Sequence, residues 1–128
     1  MNVIKIKSES ILSINSLNRV ASSNIYSKFN YPSGDNAAFD GYAISSNDTK
    51  NINKNKSKAF KIIGSIAAGK KPFKKRIKKF EAVEIMTGGI IPNGFDTIIP
   101  IEQINFYPNN KTRKFILIDR KISKYNHI

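Results

Sequence analysis

The chain has 128 residues, 40% of them hydrophobic, which suffices for one ordinary domain with its own core, and it contains no apolar run of membrane-spanning length. It has no cysteine and a single histidine, His127, which excludes a disulfide framework and a thiolate metal site and leaves no ligand set for zinc. The net charge of +13 points to an anionic partner, yet joint enrichment in Asn, Ile and Lys is what an AT-rich genome produces, so the charge is read mainly as compositional background.

Residues 1–7 alternate apolar and basic groups and lack the apolar core of a signal peptide; Val3 to Ile6 predict a short strand. Ser8-Glu9-Ser10 offers a cap for a short helix through Leu12. The spacing of Leu17, Val20, Ala21 and Ile25 allows a second helix. Tyr31-Pro32-Ser33-Gly34 marks a break, after which Gly41 to Ile44 reads as a strand. Residues 45–58, rich in Asn and Lys and without periodicity, read as a loop or a partly disordered segment.

Further on, Ala59 to Ile63 predicts a strand ending at Gly64, and Ala82 to Met86 another, followed by a turn at Thr87-Gly88-Gly89. Thr97 to Ile101 is apolar, with Pro100 indicating an edge position or a strand end. Phe115 to Ile118 reads as the last strand. Many short strands at turn-rich intervals predict a mainly β protein, α+β overall, built on a small barrel or sandwich with extra elements at both ends.

Three segments are candidates for chemistry. Asp35 to Gly41 carries two carboxylates, an amide and a glycine on what Pro32, Gly34 and Gly41 make a tight loop. It is either a turn in which Asp35 and Asn36 bond nearby N–H groups, or a site where Asp35 or Asp40 ligates a hard cation such as Mg²⁺, which takes one or two protein carboxylates and fills its other positions with phosphate and water. Met86-Thr87-Gly88-Gly89 is either a plain hairpin turn or a nest whose N–H groups face an anion. Residues 70–79 hold seven basic residues with Phe73 and Ile77 between them, a solvated loop with its apolar residues tucked inward or a nucleic-acid surface on which Phe73 stacks. Tyr42 reads as packing rather than acid–base chemistry, and His127 as incidental.

Taken together these segments resemble the molybdopterin molybdenumtransferase family, which includes the molybdenum-inserting part of gephyrin. The family pattern Asp-Asn-Ser-Ala-Met-Asp-Gly-Tyr-Ala stands here as Asp35-Asn36-Ala37-Ala38-Phe39-Asp40-Gly41-Tyr42-Ala43. Gly64-Ser65-Ile66-Ala67-Ala68-Gly69, Met86-Thr87-Gly88 and Pro92-Asn93-Gly94-Phe95-Asp96, with the apolar run to Glu102, match its later motifs in order and spacing. Leu17 to Ala21 also fits. The pattern is departed from at Ala37, where the usual residue is Ser, at Phe39, where it is Met, and at Phe80, where a glycine commonly stands.

The resemblance covers residues 15–105 and implies a small barrel-like β domain inserted in an elongated domain contributed by both chain ends. It divides the chain into 1–31, the first part of the elongated domain; 32–108, the inserted domain with the acidic loop; and 109–128, a return to the elongated domain that reads as truncated. It further implies insertion of molybdenum from molybdate into adenylyl-molybdopterin with release of AMP, assisted by Mg²⁺, in a cytoplasmic homodimer. Asp35 and Thr87 would be catalytic, Asp35 also holding the metal; Asn36, Gly88 and Gly89 would contact substrate; Asp40 and Gly41 would fix the loop. A non-catalytic dimerisation or scaffold module of the same fold is the alternative, and a nucleic-acid-binding domain a more distant one. Because the chain stops before the family's pterin-binding domain, it is expected to be inactive alone.

Overall fold

A computed structural model describes residues 6–70, 73 and 75–128. They fall into two compact units, 1–30 and 31–128. The strand expected at Val3 to Ile6 lies almost wholly outside the described residues.

In the first unit every described residue is exposed, and the regular element is one turn of 3-10 helix, Ser13–Asn15. The two helices expected between Ser8 and Tyr26 do not form. Serine and asparagine side chains compete for backbone groups and draw the chain into local turns. Ser16 Oγ donates to the Ser13 carbonyl at 2.6 Å, Ser27 Oγ to the Phe29 carbonyl at 2.5 Å, and Asn18 sits at a φ of 63°. Helices this short also need an apolar face to be covered, and nothing within this unit buries one. An ion pair joins Arg19 to Glu9.

The second unit is a six-stranded sheet: β1 (Gly41–Ile44), β2 (Lys58–Ile66), β3 (Glu81–Ile85), β4 (Thr97–Pro100), β5 (Asn105–Tyr107) and β6 (Phe115–Ile118), in the order β4-β1-β3-β2-β6-β5. The protein is mostly β, and the sheet is a curled half-barrel rather than a closed one. β2 and β3 run parallel; the other pairs are antiparallel. β4 lies at one edge, where Pro100 breaks no ladder on its outer side. β5 is a strand that the sequence pattern did not announce.

Alternation along the strands builds two cores. Tyr42, Ile44, Phe60, Ala82, Ile99 and Ile116 face one side; Ala43, Val83, Ile85 and Ile98 face the other. All four residues of β1 and of β4 are buried, as expected of strands covered on both faces. One irregularity keeps β2 in both cores. Its pairing with β3 shifts by one residue between Ile62 and Ser65, so Phe60 and Ile62 join the first core while Ile66 joins the second. Gly64 lies at this bulge, and the Phe73 ring crosses it so closely that an added Cβ would come within 2.7 Å of the ring.

Residues 45–58, expected to be loop or partly disordered, are a loop up to the start of β2, and its first turn is tied down. Ser46–Thr49 forms a 3-10 turn whose first residue donates from N–H and Oγ to the Asp96 carboxylate, at 2.7 and 2.9 Å. The fully buried Thr49 hydroxyl donates to the Ser46 carbonyl at 2.8 Å and accepts the Ile122 N–H at 3.0 Å. Two specific side chains, Asp96 and Thr49, supply in this turn the ordering that apolar burial supplies elsewhere.

Phe80 stands where the family pattern has glycine, and it keeps a glycine-like backbone, with a φ of 59°. Its N–H is held by Asp48 Oδ2 at 2.9 Å, and its ring packs edge-on against Phe60 with centroids 5.4 Å apart. The turn survives the substitution because packing offsets a left-handed residue that costs roughly 1–3 kcal/mol.

Tyr42 is buried with its hydroxyl 3.4 Å from Glu84 Oε1, and burial, seconded by that carboxylate, pushes its pKa up to about 12. The fold thus favours the neutral phenol, in line with a packing role. This contribution is complete below the ordinary value of 10.0 and is lost as pH rises towards about 12. Alkaline unfolding should steepen across that window, and Tyr42→Phe should remove the steepening when stability is followed by denaturant titration at each pH. A second expectation concerns Gly41, where any Cβ would collide with the Ile99 carbonyl across the β1–β4 pair. Gly41→Ala should destabilise the protein by about 3 kcal/mol or more, measured by urea unfolding.

Candidate functional site

The acidic loop and the Met-Thr-Gly-Gly turn come together at the end of the sheet where β1 begins and β3 ends. β1 and β3 are antiparallel neighbours, so Gly41 pairs with Ile85 and the segments flanking them must meet. A short ladder outside the named strands joins these segments. Ala37 N–H donates to the Gly89 carbonyl at 2.9 Å, Gly88 N–H to the Ala37 carbonyl at 2.8 Å, and Ile91 N–H to the Asp35 carbonyl at 2.9 Å. Asn36 bridges Ile90 between them.

Asp40 closes the ladder. Its Oδ1 accepts the Thr87 N–H at 2.6 Å and the Thr87 hydroxyl at 2.7 Å, while its own carbonyl accepts Ile101 N–H at 3.1 Å. The Thr87 amide, and after it the Thr87 hydroxyl, hold the Asp40 carboxyl below its ordinary 3.8. A side chain that the sequence reading set aside as loop structure is therefore the direct partner of Thr87, whereas Asp35 reaches the turn through its backbone.

The amides of Thr87, Gly88 and Gly89 do not form the anion nest that one reading of the turn expected. Each is committed within the protein: Thr87 to Asp40, Gly88 to Ala37, and Gly89 to the Met86 carbonyl at 2.8 Å. The glycines serve the turn instead. Gly88 has a φ of 78°, and a Cβ on Gly89 would lie 2.8 Å from the Ile85 side chain and 2.9 Å from the Met86 carbonyl.

Two polar groups of the loop are left unspent. Asp35 is exposed, with its carboxylate unbonded among the described residues. Asn36 Oδ1 is buried and has no hydrogen-bond partner, the one such side-chain atom among the described residues. No group of three or more metal-ligating side chains occurs among the described residues. The loop offers one uncommitted carboxylate, Asp35, and Mg²⁺ takes one or two protein carboxylates with its other positions filled by phosphate and water.

The departures from the family pattern find places here. Ala37 is buried in the second core, where a hydroxyl would need a partner. Phe39 meets the His127 ring edge-on at 5.0 Å, and His127 accepts the Ala38 N–H through its carbonyl at 3.0 Å. His127, expected to be incidental, thus braces the loop. The segment around it is fastened in turn: Thr97 Oγ1 donates to the Ser123 carbonyl at 2.9 Å, Tyr125 N–H to the Asp96 carbonyl at 2.8 Å, and Ile98 N–H to the Asn126 carbonyl at 3.0 Å. Sequence reasoning missed this bracing because it depends on backbone carbonyls, which leave no residue-type signal. In the basic stretch, Phe73 and Ile77 are half-buried and pack against the second core, as the reading of a solvated loop with its apolar residues tucked inward expects.

Residues 1–128 match the family model described as MoeA N-terminal region (domain I and II). The chain belongs to this family. It is 39% identical over 87 residues to a molybdopterin molybdenumtransferase of Haemophilus influenzae, an alignment covering 68% of this chain and 20% of that protein. Against the Staphylococcus aureus (strain Mu50) enzyme of the same name the identity is 38% over 88 residues, covering 69% and 21%. The structure resembles the crystal structure of a molybdopterin biosynthesis MoeA protein from Pyrococcus horikoshii, with a TM-score of 0.78 and 32% identity over 89% of this chain and 28% of that one. The chain thus spans about one-fifth of the length of these curated relatives, and it corresponds to their N-terminal region.

The Asp40–Thr87 contact makes a measurable demand on this MoeA N-terminal region. By NMR, the Asp40 carboxyl should titrate below 3.8, with the Thr87 amide shifting in step. Because the depressed value favours the carboxylate, the loop contact is intact above that range and is lost as pH falls through the folded pKa. Thr87→Ala should raise the Asp40 value only in part, since the amide, the larger cause, remains.

Proposed function

We propose that this chain is the N-terminal part of a molybdopterin molybdenumtransferase, supplying one wall of a site that inserts molybdenum from molybdate into adenylyl-molybdopterin and releases AMP. The observation that carries the reading is the laced pair of loops: a ladder from Asp35 to Ile91 holds the acidic segment rigid while leaving the Asp35 carboxylate and Asn36 Oδ1 uncommitted. A rigid loop that spends its backbone on structure and keeps its side-chain oxygens free is preorganised to bind something.

In this proposal Asp35 would hold Mg²⁺ or its bound water, and Asn36 would present its amide to substrate. Mg²⁺ would offset the repulsion between molybdate and the phosphoanhydride and polarise a phosphoryl oxygen. Thr87 is a positioning residue, fixed by Asp40, and the shape of its turn is set by Gly88 and Gly89. The remaining wall would come from the pterin-binding part of the family, across a homodimer in a cytoplasmic setting.

The test uses the protein extended to the length of its relatives. It should restore molybdoenzyme activity in a host lacking the transferase. Asp35→Asn should lower that activity by about tenfold or more while leaving the unfolding midpoint unchanged, because the Asp35 side chain carries none of the loop's hydrogen bonds. Full activity in the Asp35→Asn protein would remove Asp35 from the metal-binding role. Failure of the unmodified extended protein to complement would remove the proposed activity itself.

A further inference from the structure

A cleft of about 280 Å³ opens on the second unit, away from the acidic loop and the Thr87 turn. Its lining comes from the 3-10 turn and the loop after it (Asn47, Asp48, Asn51, Ile52), from the start of β2 (Lys56, Ser57, Lys58) and from Lys79 with Phe80. Three lysines line it against one aspartate. One oxygen of that carboxylate is held by the backbone, Asp48 Oδ2 accepting the Phe80 N–H at 2.9 Å, and its single charge leaves the lining with a net excess of two positive charges. The ion pairs among the described residues are Arg19 with Glu9 and Arg120 with Asp119, so the lysines of the cleft are not neutralised by a protein acid there.

We propose that this cleft binds a tetrahedral oxyanion carrying two negative charges. Its lining residues carry donor side chains: three lysines, Asn47, Asn51 and Ser57. Ammonium groups act as compact point charges, and the lining has no arginine to fork onto a planar carboxylate. The aromatic wall is not free to stack on a base, because Lys58 Nζ sits 4.6 Å from the centre of the Phe80 ring. The chemistry therefore selects the oxyanion itself over a nucleoside. Phe80, at a position where the family pattern has glycine, builds the wall, and Asp48 holds its left-handed backbone in place. The cleft shares no residue with the loop site, so oxyanion binding here stands or falls independently of the molybdenum-inserting activity.

The 128-residue chain can be titrated with inorganic phosphate, with molybdate and with glycerol 3-phosphate, at constant ionic strength maintained with chloride. Amide shifts should saturate and concentrate at residues 47–58 and 79–80. Lys58→Gln with Lys79→Gln should raise Kd about tenfold, the loss of roughly 1.4 kcal/mol expected for charge-assisted bonds. Lys111→Gln, outside the cleft, should leave Kd unchanged. Should loss of the Lys58–Phe80 contact unfold the double variant, Lys56→Gln with Lys79→Gln carries the same expectation. Tighter binding of glycerol 3-phosphate than of phosphate would assign a phosphate ester as the ligand, and weaker binding a free oxyanion. Shifts that drift linearly without saturation, or that weaken equally in Lys111→Gln, would overturn the site.

Discussion

The bond pair from Thr87 to Asp40 is the interaction on which the rest of the candidate site depends. Two segments nearly fifty residues apart are brought to the same end of the sheet by the β1–β3 pairing, but pairing alone leaves them as two independent turns. Asp40 joins them with a backbone and a hydroxyl donor on one oxygen, and the Ala37–Gly88–Gly89 ladder extends the join. Charge-assisted bonds of this kind are about twice as strong as neutral ones. They also set a direction: with Asp40 occupied by the turn, the free carboxylate of the loop is Asp35.

That division of labour accounts for the spacing of the motif. Gly41 must follow Asp40 because β1 approaches the Ile99 carbonyl too closely for any side chain. Tyr42 and Ala43 then drop into opposite cores. Asp96, at the other end of β1's partner β4, performs a similar task, fastening the turn at Ser46 by its side chain and Tyr125 by its carbonyl. Both aspartates belong to motifs of the family pattern, and both act in the structure as ties between segments distant in sequence.

The strands were legible because apolar runs bounded by Gly and Pro carry their own signal: β1, β3, β4 and β6 lie within a residue of where the turn residues put them, whereas β2 runs on through Gly64, its expected end, to Ile66, because the bulge there lets the ladder with β3 continue. The two helices expected near the N-terminus were not, since a three-and-four spacing counts for little when serine and asparagine side chains bind the backbone first. At the site, the residue types were legible and the partners were not. Asp35 and Asp40 look alike in sequence; only the antiparallel pairing of β1 with β3 decides which one faces Thr87. The bracing of the loop by His127 and the ordering of residues 45–58 by Thr49 rest on carbonyls and one buried hydroxyl, which composition does not report.

Residues 35–40 and 86–91 are joined into one hydrogen-bonded unit through Asp40, and amide hydrogen exchange tests most directly whether they open together. The amides of Ala37, Thr87, Gly88 and Ile91 should exchange with a common opening free energy in the unmodified protein, and Asp40→Asn should lower protection at all four together. Fast exchange at Thr87 in the unmodified protein, or loss of protection confined to Thr87 in the variant, would contradict it.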